Sequence, residues 1–313
     1  MQTFTPSILT DRTIKWVVES IDRSATVQAI HQLKGATSST LHSISLLINQ
    51  VKKTFVLRQF DNKKWLKDEP DVALHEASSL LHATQNGLPT PWLIAYDETG
   101  KACGLPAVLM SHLEGNVNLH PQNMDLWLDE LAKTLVQIHA VSAKDFRWDY
   151  YSYMDVKAFE VPSWSNSPEL WKVVIDKMKQ PSPQAKRCFI HRDYHPANVL
   201  WNKNKVCGVV DWVNACIGPA GIDVGHCRVN LAMLFDVATA DQFLLAYKKL
   251  SGSSFHYDVY WDLLSLIDML EEPPKVYRGW TDFGVMGLSD QLMRERIDQY
   301  MASLAKLLPA RLF

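Results

Sequence analysis

Charge of one sign, long apolar runs and paired cysteines are what this sequence has little of, and each shortage excludes something. With 32 basic against 34 acidic side chains the formal net charge is -2, so no global field draws the chain to nucleic acid or anionic lipid. No apolar run approaches the ~20 residues that span a bilayer. The opening Met1–Thr10 lacks the basic start and apolar core of a secretory leader, and the expected compartment is the cytoplasm. The five cysteines, at 103, 188, 207, 216 and 227, form no Cys-x-x-Cys pair, and an odd count suits reduced core thiols better than a disulfide framework. A zinc site from Cys188, His191, Cys216, His226 and Cys227 is conceivable, at spacings that match no usual zinc pattern.

What is present is ordinary for a folded protein: 313 residues, 47% hydrophobic and 21% charged, enough for two lobes that share a cleft. Ile14, Val17, Val18 and Ile21 recur at helical spacing behind a Thr10-Asp11 start. Strands are expected at Thr26–Leu33, Leu41–Ile48 and Thr54–Phe60, with Asn49–Lys53 as the turn between the last two. From Pro70 the period changes to 3.6 until Asn86-Gly87 stops the helix, and strands Trp92–Tyr96 and Pro106–Met110 follow. After Gly115 the pattern is mainly helical, over Leu126–Val141, Ser167–Lys179, Gly221–Phe235, Asp241–Lys249, Asp258–Leu270 and Asp290–Leu308. The fold class is α+β, a β-rich lobe over 1–112 and a mainly helical lobe over 113–313, joined near Ser111–Asn116.

Chemistry concentrates between Cys188 and Trp212, where an apolar strand delivers His191, a loop carries Asp193 and Asn198, and a second strand, Val206–Val210, ends on Asp211. A carboxylate at 193 can orient a hydroxyl and take its proton. An amide oxygen at 198 and a carboxylate at 211 can ligate magnesium. Asp and Asn are also common turn and cap residues, the plain alternative for each one singly. The joint spacing, with strands on both sides, points to phosphoryl transfer.

His191-Arg-Asp-Tyr-His-Pro-Ala-Asn-Val-Leu200, followed by Gly208-Val-Val-Asp-Trp212, resembles the phosphotransferase family of aminoglycoside and choline kinases, whose fold is similar to that of the protein kinases. Leu131–Val141 and Gly218–Val224 also look like family segments, so the resemblance extends over most of the chain. It implies Asp193 as catalytic base, Asn198 and Asp211 as Mg2+ ligands, His191 as a structural member of the loop, and Asp223 as a residue that caps a helix and braces that loop. The donor is then ATP or GTP.

For the nucleotide, the resemblance places Arg58 where the fold usually has a lysine on the phosphates, and Glu76 as its helix partner. Arginine is a departure there, because the two cations are not interchangeable at a tight phosphate site. The alternatives are an exposed strand charge and a solvated helix face. Ser38, in the turn Lys34–Ser39, could cover phosphate or belong to an ordinary hairpin. The backbone of Ser111, His112 and Leu113 would meet the purine with Met110 behind it, and Leu200 and Val210 would line the pocket or simply fill the core. The literal Asp282-Phe283-Gly284 follows no apolar strand and is set aside as a loop or helix start.

Asp223 follows Asp211 too closely for a long activation segment, and no Ala-Pro-Glu follows, so the acceptor is a small hydroxylated molecule rather than a protein. Asp258, Asp262, Asp268, Glu271 and Glu272 favour a polycationic aminoglycoside-type antibiotic, unless they are a solvated face. Tyr260, Trp261, Tyr277 and Trp280 could instead box a choline-like quaternary ammonium, or be core. A catalytically inactive nucleotide-binding protein is the reading from another class.

Overall fold

The computed structural model describes residues 9–34, 39–253, 255–270 and 272–308. The chain divides into two compact units, residues 1–115 with 208–214, and residues 116–207 with 215–313.

In the first unit, α1 (Asp11–Ile21) begins where the Thr10 hydroxyl accepts a hydrogen bond from the Thr13 amide, and Asp11 sits in the electropositive first turn. Five strands, β1 (Thr26–Gln32), β2 (Thr40–Ile48), β3 (Val51–Gln59), β4 (Leu93–Asp97) and β5 (Ala107–Ser111), form an antiparallel sheet in the order β1-β2-β3-β5-β4. Ile44, Leu46, Leu57, Ala107 and Leu109 pack from the sheet with Val17 of α1. The turn after β2 is shorter than the expected Asn49–Lys53. Asn49 and Gln50 take φ values of 49° and 64°, a left-handed pair that reverses the chain in two residues and matches the strand twist, so Val51 already pairs with Ile48.

Two helices lie between β3 and β4 in sequence. The first, α2 (Lys63–Asp68), is additional to the expected elements; at 6 residues it is too short for a period to show, and the Asn62 side chain caps it. The second, α3 (Val72–Gln85), ends at Asn86, and Gly87 follows at φ 73°. It buries Glu76 along with Val72, Ala73, Ala77 and Leu80.

In the second unit, β6 (Asn116–Val117) pairs with β8 (Val199–Asn202), which neighbours β9 (Lys205–Val209, its last two residues counted with the first unit), while β7 (Arg187–Ile190) pairs antiparallel with β10 (Cys216–Pro219). The sequence reading lacked β8. Its apolar Val199-Leu200-Trp201 directly follows the 3-10 turn that ends on Asn198, and Lys203 at φ 56° turns it back into β9. The helices are α4 (Met124–His139), α5 (Pro168–Met178), α6 (Ala220–Leu234), α7 (Val237–Ser251), α8 (Tyr260–Asp268), α9 (Arg278–Asp282) and α10 (Asp290–Ala305). Among the described residues, no helix is long and apolar enough to cross a membrane.

The centre of this unit is α6. From Gly221 to Leu234 every residue is buried except His226. Two glycines let α8 approach closely. A Cβ at Gly221 would stand 2.3 Å from the Trp261 ring, and one at Gly225 would stand 2.5 Å from the Trp261 carbonyl oxygen, so side chains there would push the helices apart.

Candidate active site

The first cluster lies in the sheet unit and is built on β3. Arg58 is 3% exposed and Glu76 of α3 is 1% exposed, so neither is a surface charge. Arg58 Nη1 donates to Glu76 Oε1 at 2.8 Å and to Asp211 Oδ1 at 2.6 Å, and Nε donates to Ser39 Oγ at 2.8 Å. Burial works against the guanidinium charge, but Asp211 and Glu76 outweigh it and keep Arg58 firmly protonated. Burial pushes the Glu76 carboxyl above its ordinary range against the pull of Arg58.

Two features leave this cluster incomplete. Glu76 Oε2 is buried with no hydrogen-bond partner among the described residues. Asp211 takes φ 67°, a left-handed conformation uncommon outside glycine, and its side chain remains 35% exposed. One guanidinium between two carboxylates leaves an excess negative charge, which fits a divalent cation on Asp211.

The second cluster, in the helical unit, is the loop after β7. Asp223, in the first turn of α6, accepts from the backbone N–H of His191 at 2.8 Å and of Arg192 at 2.6 Å. It braces the loop, but it is not the cap, which is Pro219. Behind it, His139 Nε2 lies 3.0 Å from Asp223 Oδ2, and His139 Nδ1 lies 2.6 Å from the Tyr247 hydroxyl. Burial pushes the Asp223 pKa up, yet the His139 contact and the loop amides hold it below the usual carboxylate range. Arg192 takes φ 68°; its guanidinium donates to the Tyr151 carbonyl and lies 3.9 Å from the Tyr153 ring centroid.

Held in this way, the loop presents Asp193 and Asn198 together. The Asn198 amide nitrogen donates to the Asp193 carbonyl at 2.9 Å and to Asp193 Oδ2 at 3.0 Å. That leaves the amide oxygen as the end that can ligate a metal. On the other side of the carboxylate, Oδ1 lies 3.0 Å from His226 Nε2 and 3.8 Å from His195 Nε2. Burial pushes the Asp193 pKa up, but His195, His226 and His191 outweigh it and hold the carboxyl well below its usual range. It is an ionised acceptor of hydrogen bonds, with 30% of its side chain exposed.

The remaining expected residues fall as follows. Met110 is buried in β5, His112 is exposed and Leu113 half-buried just after it, and Leu200 is half-buried in β8. Ser38 and Glu271 lie outside the described residues. Asp262 is not an acceptor-facing acid. It is buried on Arg228 and also accepts from the Tyr257 and Tyr300 hydroxyls, because a charge at the centre of a helix core must be paired. Asp268 accepts from Ser152 and Tyr150, Asp258 takes the Tyr260 amide, and Glu272 pairs with Lys275. Trp261 and Trp280 are core residues. Asp282-Phe283-Gly284 ends α9 rather than starting a helix. Burial pushes the Cys188 and Cys216 thiols up to about 12, and among the described residues no three His, Cys, Asp or Glu side chains are grouped to hold a zinc ion.

Sequence reasoning passed over His226 as part of this site. The available signal was its spacing, since the residue three after Asp223 in a helix lies on nearly the same face.

A β-sheet unit carrying an arginine–glutamate pair, and a helical unit presenting an Asp–Asn loop, define the α+β, protein-kinase-like two-lobe fold. The chain belongs to the phosphotransferase enzyme family, whose match covers residues 40–262. It is thus an enzyme of the phosphotransferase class. No curated protein matches the sequence. Among solved structures, a thermostable mutant of aminoglycoside phosphotransferase APH(4)-Ia, in ternary complex with AMP-PNP and hygromycin B, is similar at 16% identity and a TM-score of 0.61, over 94% of this chain and 99% of that one. Choline kinase LicA from Streptococcus pneumoniae is similar at 16% identity and 0.60, over 93% and 98%. Amicoumacin kinase hAmiN, in complex with AMP-PNP, Ca2+ and Ami, is similar at 13% identity and 0.55, over 90% and 89%. At such identities the likeness is one of fold.

Proposed function

We propose that this chain transfers the γ-phosphoryl group of ATP, or of GTP, to a hydroxyl of a small molecule, with Asp193 as the base. The observation that carries this reading is the Asp193–Asn198 pair, in a loop whose backbone is fixed by the buried Asp223. The acceptor hydroxyl donates to Asp193, which orients the oxygen toward the γ-phosphorus. As the new O–P bond forms and the bond to the β-phosphate oxygen breaks, the hydroxyl proton passes to the carboxylate. A carboxyl held so far into its ionised form takes the proton late, which suits a loose transition state.

Magnesium would be held by the Asn198 oxygen and by Asp211, and when bound it supplies positive charge to the phosphates. Arg58, kept in place by Glu76 and Ser39, serves the α- and β-phosphates. Met110 and the backbone of Ser111, His112 and Leu113 serve the purine, with Leu200 as a further pocket residue and Ser38 as a phosphate-binding residue.

The acceptor we place first is an aminoglycoside-type antibiotic, in keeping with the family and with the acceptors of proteins that share the fold. It is not supported by an acidic helix, since Asp262 and Asp268 have internal partners. The test is nucleotide-diphosphate release by wild type and Asp193→Ala over a panel of aminoglycosides, other antibiotics and choline. An acceptor-stimulated rate that falls roughly thousandfold or more in the variant, about 4 kcal/mol of barrier, is expected. Equal background turnover in both proteins, with no acceptor stimulating either, overturns the reading.

A further inference from the structure

The Asp193 carboxylate is held from two sides. Asn198, at the end of the short 3-10 turn Pro196–Asn198, donates to Oδ2 from within the loop. Oδ1 is met from a different element altogether. His226 projects from α6 and brings Nε2 to 3.0 Å, nearer than His195 Nε2 at 3.8 Å.

The direction of His226 is not free to vary. The helix that carries it is buried on every other residue from Gly221 to Leu234, and Gly221 and Gly225 seat it against Trp261 without space for a Cβ. One turn before His226, Asp223 bonds the backbone of His191 and Arg192. The same helix therefore fixes the loop backbone through Asp223 and reaches the loop's functional carboxylate through His226. Around His226 the His195 ring packs edge-on at 5.9 Å between centroids, and Tyr277 packs edge-on against His195 at 5.7 Å, which restricts the imidazole further. Its side chain is 19% exposed, on a helix with no other surface residue in that stretch.

We propose that His226 is a positioning residue for Asp193: its Nε2, 3.0 Å from Oδ1 and without an aligned hydrogen-bond partner among the described residues, holds the carboxylate in place by this close polar contact, so that the free lone pairs face the incoming acceptor hydroxyl. Without it the carboxylate is anchored at Oδ2 alone and can swing about Cβ–Cγ. Misplacement of a base by an ångström is enough to reduce turnover severely, because the reacting atoms must meet in a narrow range of geometry. The effect belongs to the chemical step, so it falls on kcat and leaves nucleotide affinity alone.

The inference rests on Asp193 being the group that engages the acceptor, and the experiment separates the two. Using the full chain with Mg2+, ATP and the best acceptor from the panel, kcat and the KM for ATP are compared for wild type, His226→Ala, His226→Gln, His226→Asn and Asp193→Ala. Glutamine can place an amide N–H near the Nε2 position, whereas asparagine is too short. The expected result is a roughly tenfold or greater loss of kcat in His226→Ala and His226→Asn, recovery of most of it in His226→Gln, and an unchanged KM for ATP in the three His226 variants. Full activity in His226→Ala, with Asp193→Ala inactive, overturns the inference and spares the function. Full activity in Asp193→Ala overturns both. If His226→Ala fails to fold, the Gln and Asn pair decides, and equal loss in those two, both folded, overturns the positioning role.

Discussion

Two buried arginines in this molecule each sit between two carboxylates, and they differ in how completely their surroundings are satisfied. Arg228, 1% exposed, bonds Asp262 and Asp241, and Asp262 in turn accepts from the Tyr257 and Tyr300 hydroxyls at 2.7 and 2.8 Å. Its guanidinium also faces the Tyr257 and Tyr300 rings. Arg58 bonds Glu76 and Asp211, yet Glu76 Oε2 has no hydrogen-bond partner among the described residues, and Asp211 is left-handed and partly open. A closed network of this kind fixes a core. An open one keeps charge available for a ligand, and its strained backbone persists because something other than local preference requires it. The comparison fits a folding role for Arg228 and leaves Arg58 as the candidate for a ligand, the difference lying in the tyrosine donors to Asp262 rather than in exposure, since Asp241 at 56% is more open than Asp211 at 35%.

The strongest way to break that contrast is Asp211→Ala. If Asp211 serves the metal, magnesium-dependent nucleotide binding disappears and turnover falls roughly thousandfold, about 4 kcal/mol. Arg58 keeps Glu76, so thermal stability changes little. Titration of a fluorescent nucleotide with and without Mg2+ reads the first effect. Unchanged magnesium dependence would move the metal elsewhere and remove the distinction between the two arginines.

The converse is Asp262→Ala. Removing the buried partner leaves Arg228 with only Asp241, whose side chain is 56% exposed, and strips the Tyr257 and Tyr300 hydroxyls of their acceptor, with a destabilisation of about 3–5 kcal/mol. For a chain of this size that lowers the melting temperature by roughly 10 °C. Below that temperature the remaining folded protein should bind nucleotide normally. A variant as stable as wild type but without acceptor turnover would restore Asp262 to the acceptor role that its position first suggested.

The contrast was only half legible in the sequence. Arg58 and Glu76 are placed by the family resemblance alone, since β3 is buried continuously toward its end and α3 is buried on more than one face, so neither shows a period that singles them out. Asp193, Asn198 and Asp211 could be placed because two strands bracket them. What no local pattern carries is the identity of a partner 153 residues away, as for Arg58 and Asp211, or 34 residues away, as for Arg228 and Asp262. In α8 the run Tyr-Trp-Asp-Leu-Leu-Ser-Leu-Ile-Asp leaves almost no polar face. An aspartate inside such a helix is buried and paired, not solvated and not aimed at a ligand. The short turn at Asn49-Gln50 escaped for a related reason, since Gln rarely takes positive φ and only the pairing of Ile48 with Val51 demands it here.

The smallest predicted effect tests how the closed network is shared. Tyr257 and Tyr300 donate to the same oxygen, Asp262 Oδ1. Replacing Tyr300 by Phe leaves that oxygen with one donor and keeps the ring over Arg228, so the loss should be about 1 kcal/mol, within the range of a single buried hydrogen bond. Tyr257→Phe should cost a similar amount. The double variant strips Oδ1 of both hydroxyls and leaves a buried carboxylate oxygen unmatched, so its loss should exceed the sum of the singles by roughly 1 kcal/mol. Denaturant midpoints with equal slopes measure all three. Strict additivity would mean that the hydroxyls act independently, and the Arg228 cluster would then lose the cooperativity that sets it apart from Arg58.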